Sequence, residues 1–487
     1  MQNISQQLKR IKHTRLQAYH KNALDYWLVA SASILLIAYE WLSYKSFHFV
    51  MLDLGLFNRH MYSLARFDFS ANPLKGINLL GDHAHIFLLF IAPFYALWQS
   101  PVVLLIVQVL AITLSAFPIY LIAKHYFKSG KIAGLWVVIY LSFFGFWSAL
   151  AYPFHDSPVA VLPIAWALYY LVVDRNYRRL AIWLVILCLV REDMPLVAAM
   201  FGVYVALFDK KYTFGSIIVV ASTVYFLIVT RLFLPAMGNG TYLYGTNPFG
   251  SSLLDIIKAT FTQPINVVKE FFIPKEKLKT FIYMLVSFGG LPLLAPKLLI
   301  LLIPLWMGRT FTTQATRWSV FQHYSASQAP ILCVAAIVGL AFVLSYYIKT
   351  TKAQSFLLVS ALLVIFMSFA VHYQIKQGYF VRLFQKNTYS YDASMQAARA
   401  GVGLIPRNAS VAAGSSFVQL SSRQDIYNFP FEDYAPKTDY VITSTEFDLW
   451  PLGTKEKVRE YLASLQVSGD YQSIFDINGT VVLKRNK

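Results

Sequence analysis

Residues 24–57, LDYWLVASASILLIAYEWLSYKSFHFVMLDLGLF, decide the fold. The run Leu24–Tyr44 is apolar and long enough to cross about 30 Å of hydrocarbon. Residues 1–23 before it carry Lys9, Arg10, Lys12, Arg15 and Lys21 with no acid. No small-residue cleavage site follows the run, so it reads as an uncleaved first helix with its basic arm in the cytoplasm. Beyond it, Asp53 stands alone among Leu52, Leu54, Leu56 and Phe57. A carboxylate in such company needs a partner, a metal or a proton-transfer role, or else caps the next helix.

The rest of the chain repeats the apolar theme. Of 487 residues, 57% are hydrophobic and only 14% charged, with 16% aromatic. Mean hydropathy is +0.51. A soluble globule lacks the interior to hide so much apolar surface, so the composition implies a polytopic membrane protein and excludes disorder, a coiled coil or a disulfide scaffold. Cys188 and Cys333 lie in apolar runs and show no redox or metal spacing.

Further spans are expected near 101–123, 132–149, 157–173, 178–191, 194–208, 213–234, 281–295, 297–307, 329–347 and 354–372, about eleven in all. With the N-terminus inside, the cytoplasmic turns carry Lys124, Lys128, Lys131, Arg175, Arg178, Arg179, Lys210, Lys211, Lys297, Lys349 and Lys352. The opposite turns carry Asp53, Asp68, Asp82, Asp156, Glu192 and Asp193. This positive-inside bias accounts for most of the +18 net charge without nucleic acid. It also requires that the short apolar run His85–Trp98 not cross, so that run is expected as a re-entrant or interfacial helix within a large first outer loop, 45–100.

The expected organisation is therefore a cytoplasmic arm (1–23), a transmembrane domain (24–372) and a soluble extracytoplasmic α/β domain (373–487). In the last, Val411–Gly414 and Tyr440–Thr443 read as strands and Lys455–Leu465 as an amphipathic helix. Tyr471–Ile477 and Thr480–Lys484 flank Asn478-Gly479, a hairpin signal.

Polar groups at the outer ends of spans carry the chemistry, because ionisable residues at membrane depth usually mark function. Asp82, His83 and His85 offer oxygen and nitrogen ligands to a divalent metal, or anchor an interfacial helix. His155, Asp156 and Ser157 precede a helix whose N-terminus suits phosphate, and Asp156 or Ser157 can cap it. Arg191, Glu192 and Asp193 lie between two short spans. Arg191 suits bidentate phosphate recognition and Asp193 can cap the helix starting at Met194. His323 and Tyr324 form a weaker site or are interfacial belt residues, and Arg309 and Arg317 in the same outer loop break the positive-inside trend, as residues that hold lipid phosphate or simply bind lipid headgroups would. No phosphate-binding glycine loop is present, which argues against an ATP-driven pump.

These motifs together resemble a prokaryotic "domain of unknown function" family of predicted membrane proteins. The resemblance rests on Asp53–Phe57, Gly81–His85 leading to Ala92–Leu97 and Gln108, Phe154–Asp156, Arg191–Met194, His323-Tyr324, and the tail segments Pro406–Ala413, Ser422–Tyr427 and Asp439–Val441. It covers nearly the whole chain. The usual family form of the third motif is Phe-His-Pro-Glu, with Asp156 here in the proline place. The family is similar in layout to GT-C glycosyltransferases, which use a polyprenyl-phosphate sugar. The resemblance implies a mainly α, GT-C-like polytopic fold with a small C-terminal outward-facing α/β domain, in the plasma membrane. By position it maps the catalytic acid onto Asp53.

The leading expectation is a transferase taking sugar from a lipid-linked donor on the extracytoplasmic side. His155, Arg191, Glu192, Asp193, His323 and Tyr324 would meet the donor, and membrane lipids are the other expected partners. The alternative is a transporter or flippase of a lipid-linked or polar solute, which would need charged groups reachable from both faces. The charged groups here gather on one.

Overall fold

The computed structural model describes residues 23–238, 247–250, 253–347, 353–375, 379–385 and 391–486. The basic arm up to residue 22, and Lys349 and Lys352, lie outside these. The first helix runs Ala23–Lys45 and packs along the helix Val102–Leu114. By length and composition five helices suffice to cross a membrane: Tyr26–Lys45, Val102–Phe127, Tyr212–Met237, His323–Ser345 and Ala353–Gln374. A sixth is possible if Gly130–Leu141 and Phe144–Ala151, bent by 46°, act as one span.

The described helices thus give fewer full spans than the eleven expected, and the reason is local. The segment expected at 281–295 stops at Val286 and turns through Gly289 and Gly290, both at positive φ. The segment at 297–307 is divided into Pro296–Leu299, Ile300–Leu302 and Ile303–Thr310. Other expected spans are shorter apolar helices, among them Ser157–Val172 and Met194–Leu207. The run at 85–98 contains a ten-residue helix, Leu88–Leu97, interrupted by Pro93. At about 1.5 Å per residue it is too short to cross. It buries Leu88, Ala92 and Tyr95 and exposes Phe90, Phe94 and Leu97.

Helices in the bundle approach closely where side chains vanish. Met194–Leu207 and Tyr212–Ile228 meet at Gly202 and Gly215. A Cβ on Gly215 would lie 2.5 Å from the Gly202 carbonyl oxygen, and one on Gly202 would lie 2.7 Å from that of Gly215. Small residues let backbones touch where apolar burial gives no drive in lipid.

The C-terminal segment forms one five-stranded sheet in the order β2-β1-β3-β5-β4. The strands are β1 (Val411–Ala413), β2 (Ile426–Asn428), β3 (Tyr440–Ser444), β4 (Tyr471–Ile477) and β5 (Thr480–Arg485). β1 pairs in parallel with β2 and β3, and β5 pairs antiparallel with β3 and β4. Asn478 and Gly479, at φ 45° and 77°, make the tight hairpin between β4 and β5.

The central strands are covered on both faces. Ala412, Val441 and Leu483 meet Val458 and Leu462 of the helix Lys455–Val467. Their neighbours Val411, Ala413, Ile442 and Val482 point the other way, into a core shared with Phe47, Phe49, Met51, Leu54 and Phe57 of the first loop. Polar contacts seal the junction. Asn58 Nδ2 donates to Ser421 Oγ (2.7 Å) and Ser422 Oγ (2.9 Å), and Arg59 Nε donates to the Gln424 carbonyl (3.0 Å).

Candidate functional site

Asp53 lies in a single wide turn, Met51–Gly55, that runs into the helix Leu56–Leu64. The Met51 N–H donates to the Ser415 carbonyl at 2.6 Å, so the C-terminal sheet anchors this turn. Asp53 is not a helix cap. Its Oδ1 lies 3.5 Å from His155 Nε2, and the two side chains are 21% and 17% exposed.

His155 is held on several sides. Its backbone N–H donates to Gln108 Oε1 (3.0 Å), and its Nδ1 sits 3.1 Å from the Pro153 carbonyl. A carbonyl only accepts, so Nδ1 is assigned the ring proton, and Nε2, toward Asp53, is the nitrogen that takes or gives one. The ring stacks on His323 with centroids 3.8 Å apart and planes 16° off parallel. Tyr324 lies 4.0 Å from His323, and Tyr152 lies 5.2 Å from His155.

A second layer lies behind this wall. Asp156 is 1% exposed. Its Oδ1 is 3.7 Å from Arg191 Nη1 and its Oδ2 is 3.6 Å from His85 Nδ1. Burial alone would raise the Asp156 carboxyl, but His85 and Arg191 outweigh it and hold the group well below the usual range. Arg191 also grips Asp193, Nε to Oδ1 at 2.7 Å and Nη2 to Oδ2. Glu192, 2% exposed, faces His83 Nδ1 at 2.7 Å and accepts the Ala84 N–H at 3.0 Å. Burial opposes both charges of this pair, yet their attraction prevails. His83 is lifted to about 9 and Glu192 drawn down to about 2. The ring of Phe57 lies 5.4 Å from His85 and 5.8 Å from His155, between the two layers.

Contacts therefore connect Asp53, His83, His85, His155, Arg191, Glu192, Asp193, His323 and Tyr324, which come from five stretches of chain. Three expectations change. Asp82, His83 and His85 do not form one ligand set: they turn to Lys75, Glu192 and Asp156 respectively. Among the described residues no three His, Cys, Asp or Glu side chains are placed to hold a metal. Glu192 and Asp193, expected at the donor, are engaged by internal cations. Asp156 and Asp193 occupy N-cap positions without capping, because Arg191 draws their carboxylates away.

Several residues have a place at the site that the sequence did not assign them. Asn58 and Tyr95 lock the loop, Tyr95 OH donating to Asn58 Oδ1 at 2.9 Å, and His60 lies 5.2 Å from His85. The signal for them was the polar trio Asn58-Arg59-His60 directly after the Asp53 motif. Gln108, polar within the apolar run 102–114, carried a similar signal for the His155 anchor.

Composition and five helices long and apolar enough to span define a polytopic membrane protein. The chain belongs to the family described as Predicted membrane protein (DUF2079), which matches residues 44–482. Among solved structures it is similar to ArnT from Cupriavidus metallidurans, determined bound to undecaprenyl phosphate. The TM-score is 0.52 at 12% identity, covering 95% of this chain and 98% of that one. A search of the curated proteins finds no match.

Proposed function

We propose that this protein is a membrane glycosyltransferase that moves a sugar from a polyprenyl-phosphate donor to an acceptor hydroxyl on the extracytoplasmic side. The observation that carries the reading is the partly exposed Asp53–His155 pair, on a fold shared with ArnT. Asp53 is the general base. The acceptor oxygen attacks the anomeric carbon, the bond from that carbon to the phosphate oxygen breaks, and the lipid phosphate leaves with the electron pair. The acceptor proton passes to the Asp53 carboxylate. When it also carries a proton on Nε2, His155 donates to that carboxylate and orients it; without that proton, Nε2 is a second proton acceptor. Tyr324, partly exposed beside the buried His323, offers the ring face on which a sugar rests.

Arg191 acts through Asp156 and Asp193, fixing the 153–157 turn that carries His155. No step is routed through a metal, since the three residues expected to bind one face different partners. The N-terminus lies in the cytoplasm, and the first loop and C-terminal sheet lie outside.

The test is transfer by purified protein from a panel of radiolabelled polyprenyl-phosphate sugars. Wild type should release or transfer label, and Asp53→Asn should reduce turnover about 10²- to 10⁴-fold. Full activity in Asp53→Asn would reject the general base. Movement of intact donor across liposomes without cleavage would favour a flippase instead.

A further inference from the structure

The proposed donor brings an anion, yet the cations of the candidate site already have acids: Arg191 has Asp193 and Asp156, Lys75 has Asp82, and His83 has Glu192. Arg309 differs. It ends the helix Ile303–Thr310 and is 5% exposed, and no carboxylate pairs with it among the described residues. Its Nη1 donates to Ser325 Oγ and its Nη2 to the Ser319 carbonyl, both at 2.7 Å, and its Nε has no partner. Burial pushes the guanidinium down to about 9, against a smaller upward pull from Tyr324.

A buried charge without a counter-ion is costly, and here the sequence supplies none nearby: residues 277–391 contain no Asp or Glu. Arg317 Nε and His323 Nδ1 in the same loop are also buried without partners. The loop 308–328 therefore carries two arginines and no acid of its own. Ser325 belongs to the same turn, His323–Gln328, as His323, whose ring stacks on His155 beside Asp53.

We infer that Arg309 is the phosphate-binding residue of this site and that its ligand is the phosphate group of an isoprenoid lipid. The inference rests on the donor reading given above. The neutral oxygens of Ser319 and Ser325 hold the planar fork in place, and a phosphate oxygen, charged and therefore the stronger acceptor, displaces them. The sugar attached to that phosphate then lies toward His323, His155 and Asp53.

The test is native mass spectrometry of the full-length protein titrated with undecaprenyl phosphate, undecaprenol or inorganic phosphate. Wild type and Asp53→Asn should bind undecaprenyl phosphate well above undecaprenol. Arg309→Gln should lose about a hundredfold in that affinity and Arg309→Lys about tenfold, since lysine keeps the charge but not the fork. If Arg309→Gln does not fold, Arg309→Lys decides alone. Undiminished binding in the folded Arg309 variants overturns the assignment and leaves the donor reading standing. Equal binding of undecaprenol and undecaprenyl phosphate by wild type overturns both. Binding of inorganic phosphate as tight as that of the lipid overturns the isoprenoid ligand and keeps only an anion site.

Discussion

At the scale of residues, the pair His83–Glu192 makes stability depend on pH with a definite sign. His83 is raised above its ordinary 6.5 to about 9, so its contribution is complete below 6.5 and is lost as pH rises through 9. Glu192 is lowered from 4.5 to about 2, so its share is complete above 4.5 and is lost as pH falls through 2. Both contribute fully between about 4.5 and 6.5. The melting temperature of His83→Gln should therefore fall below wild type most clearly near pH 6, and the gap should close above pH 9. A gap that is constant from pH 6 to 10 would mean that His83 acts by packing alone. The deeper acid is harder to remove. Asp156→Ala leaves His85 and part of Arg191 buried without an acceptor, and should cost about 3 kcal/mol by chemical denaturation in detergent. A cost below about 1 kcal/mol would show that Asp193 alone satisfies Arg191.

At the scale of elements, the Gly202–Gly215 crossing sets how closely two bundle helices lie. A leucine at Gly215 would force the Gly202 backbone away, and overpacking of this kind costs about 1–3 kcal/mol. Thermal unfolding of Gly215→Leu in detergent should show that loss, and an unchanged midpoint would place the helices further apart than described here. Elements also show what sequence can and cannot reveal. The hairpin at Asn478-Gly479 was legible because two residues at positive φ in a row leave few alternatives. β2 was not, since a half-buried strand of three residues carries little period, nor was the helix Ala393–Gly403, whose Ala- and Gly-rich sequence offers little apolar contrast. At the site, the stretches holding Asp53, His155 and Arg191 were legible because isolated ionisable groups in apolar sequence stand out. Their partners were not. Nothing in one dimension tells that Asp193 turns to Arg191 rather than to the helix behind it, or that His83 and His85 face different acids.

At the scale of the whole molecule, the first loop and the C-terminal sheet behave as one body. Val411, Ala413, Ile442 and Val482 bury one face of the sheet against Phe47, Met51 and Leu54. A sheet covered on one side only by Lys455–Val467 would expose that apolar face to water, so the two parts must lie on the same side of the membrane. In the topology proposed from the positive-inside bias, that side is the outside. Cysteine labelling in intact cells tests both statements at exposed positions, in a Cys188→Ala background. Ser70→Cys in the loop and Ser464→Cys in the helix Lys455–Val467 should react with an impermeant maleimide before lysis. Lys211→Cys, in a turn expected inside, should react only after lysis. If Ser70→Cys and Ser464→Cys are protected while Lys211→Cys labels, the charge bias has been read backwards and the site opens to the cytoplasm, where a donor that presents its sugar outside cannot reach Asp53. If the first two differ from each other, the shared core does not exist in the membrane. Asp53 then loses the anchor that the Met51 N–H makes with Ser415, and with it the fixed geometry that general-base catalysis requires.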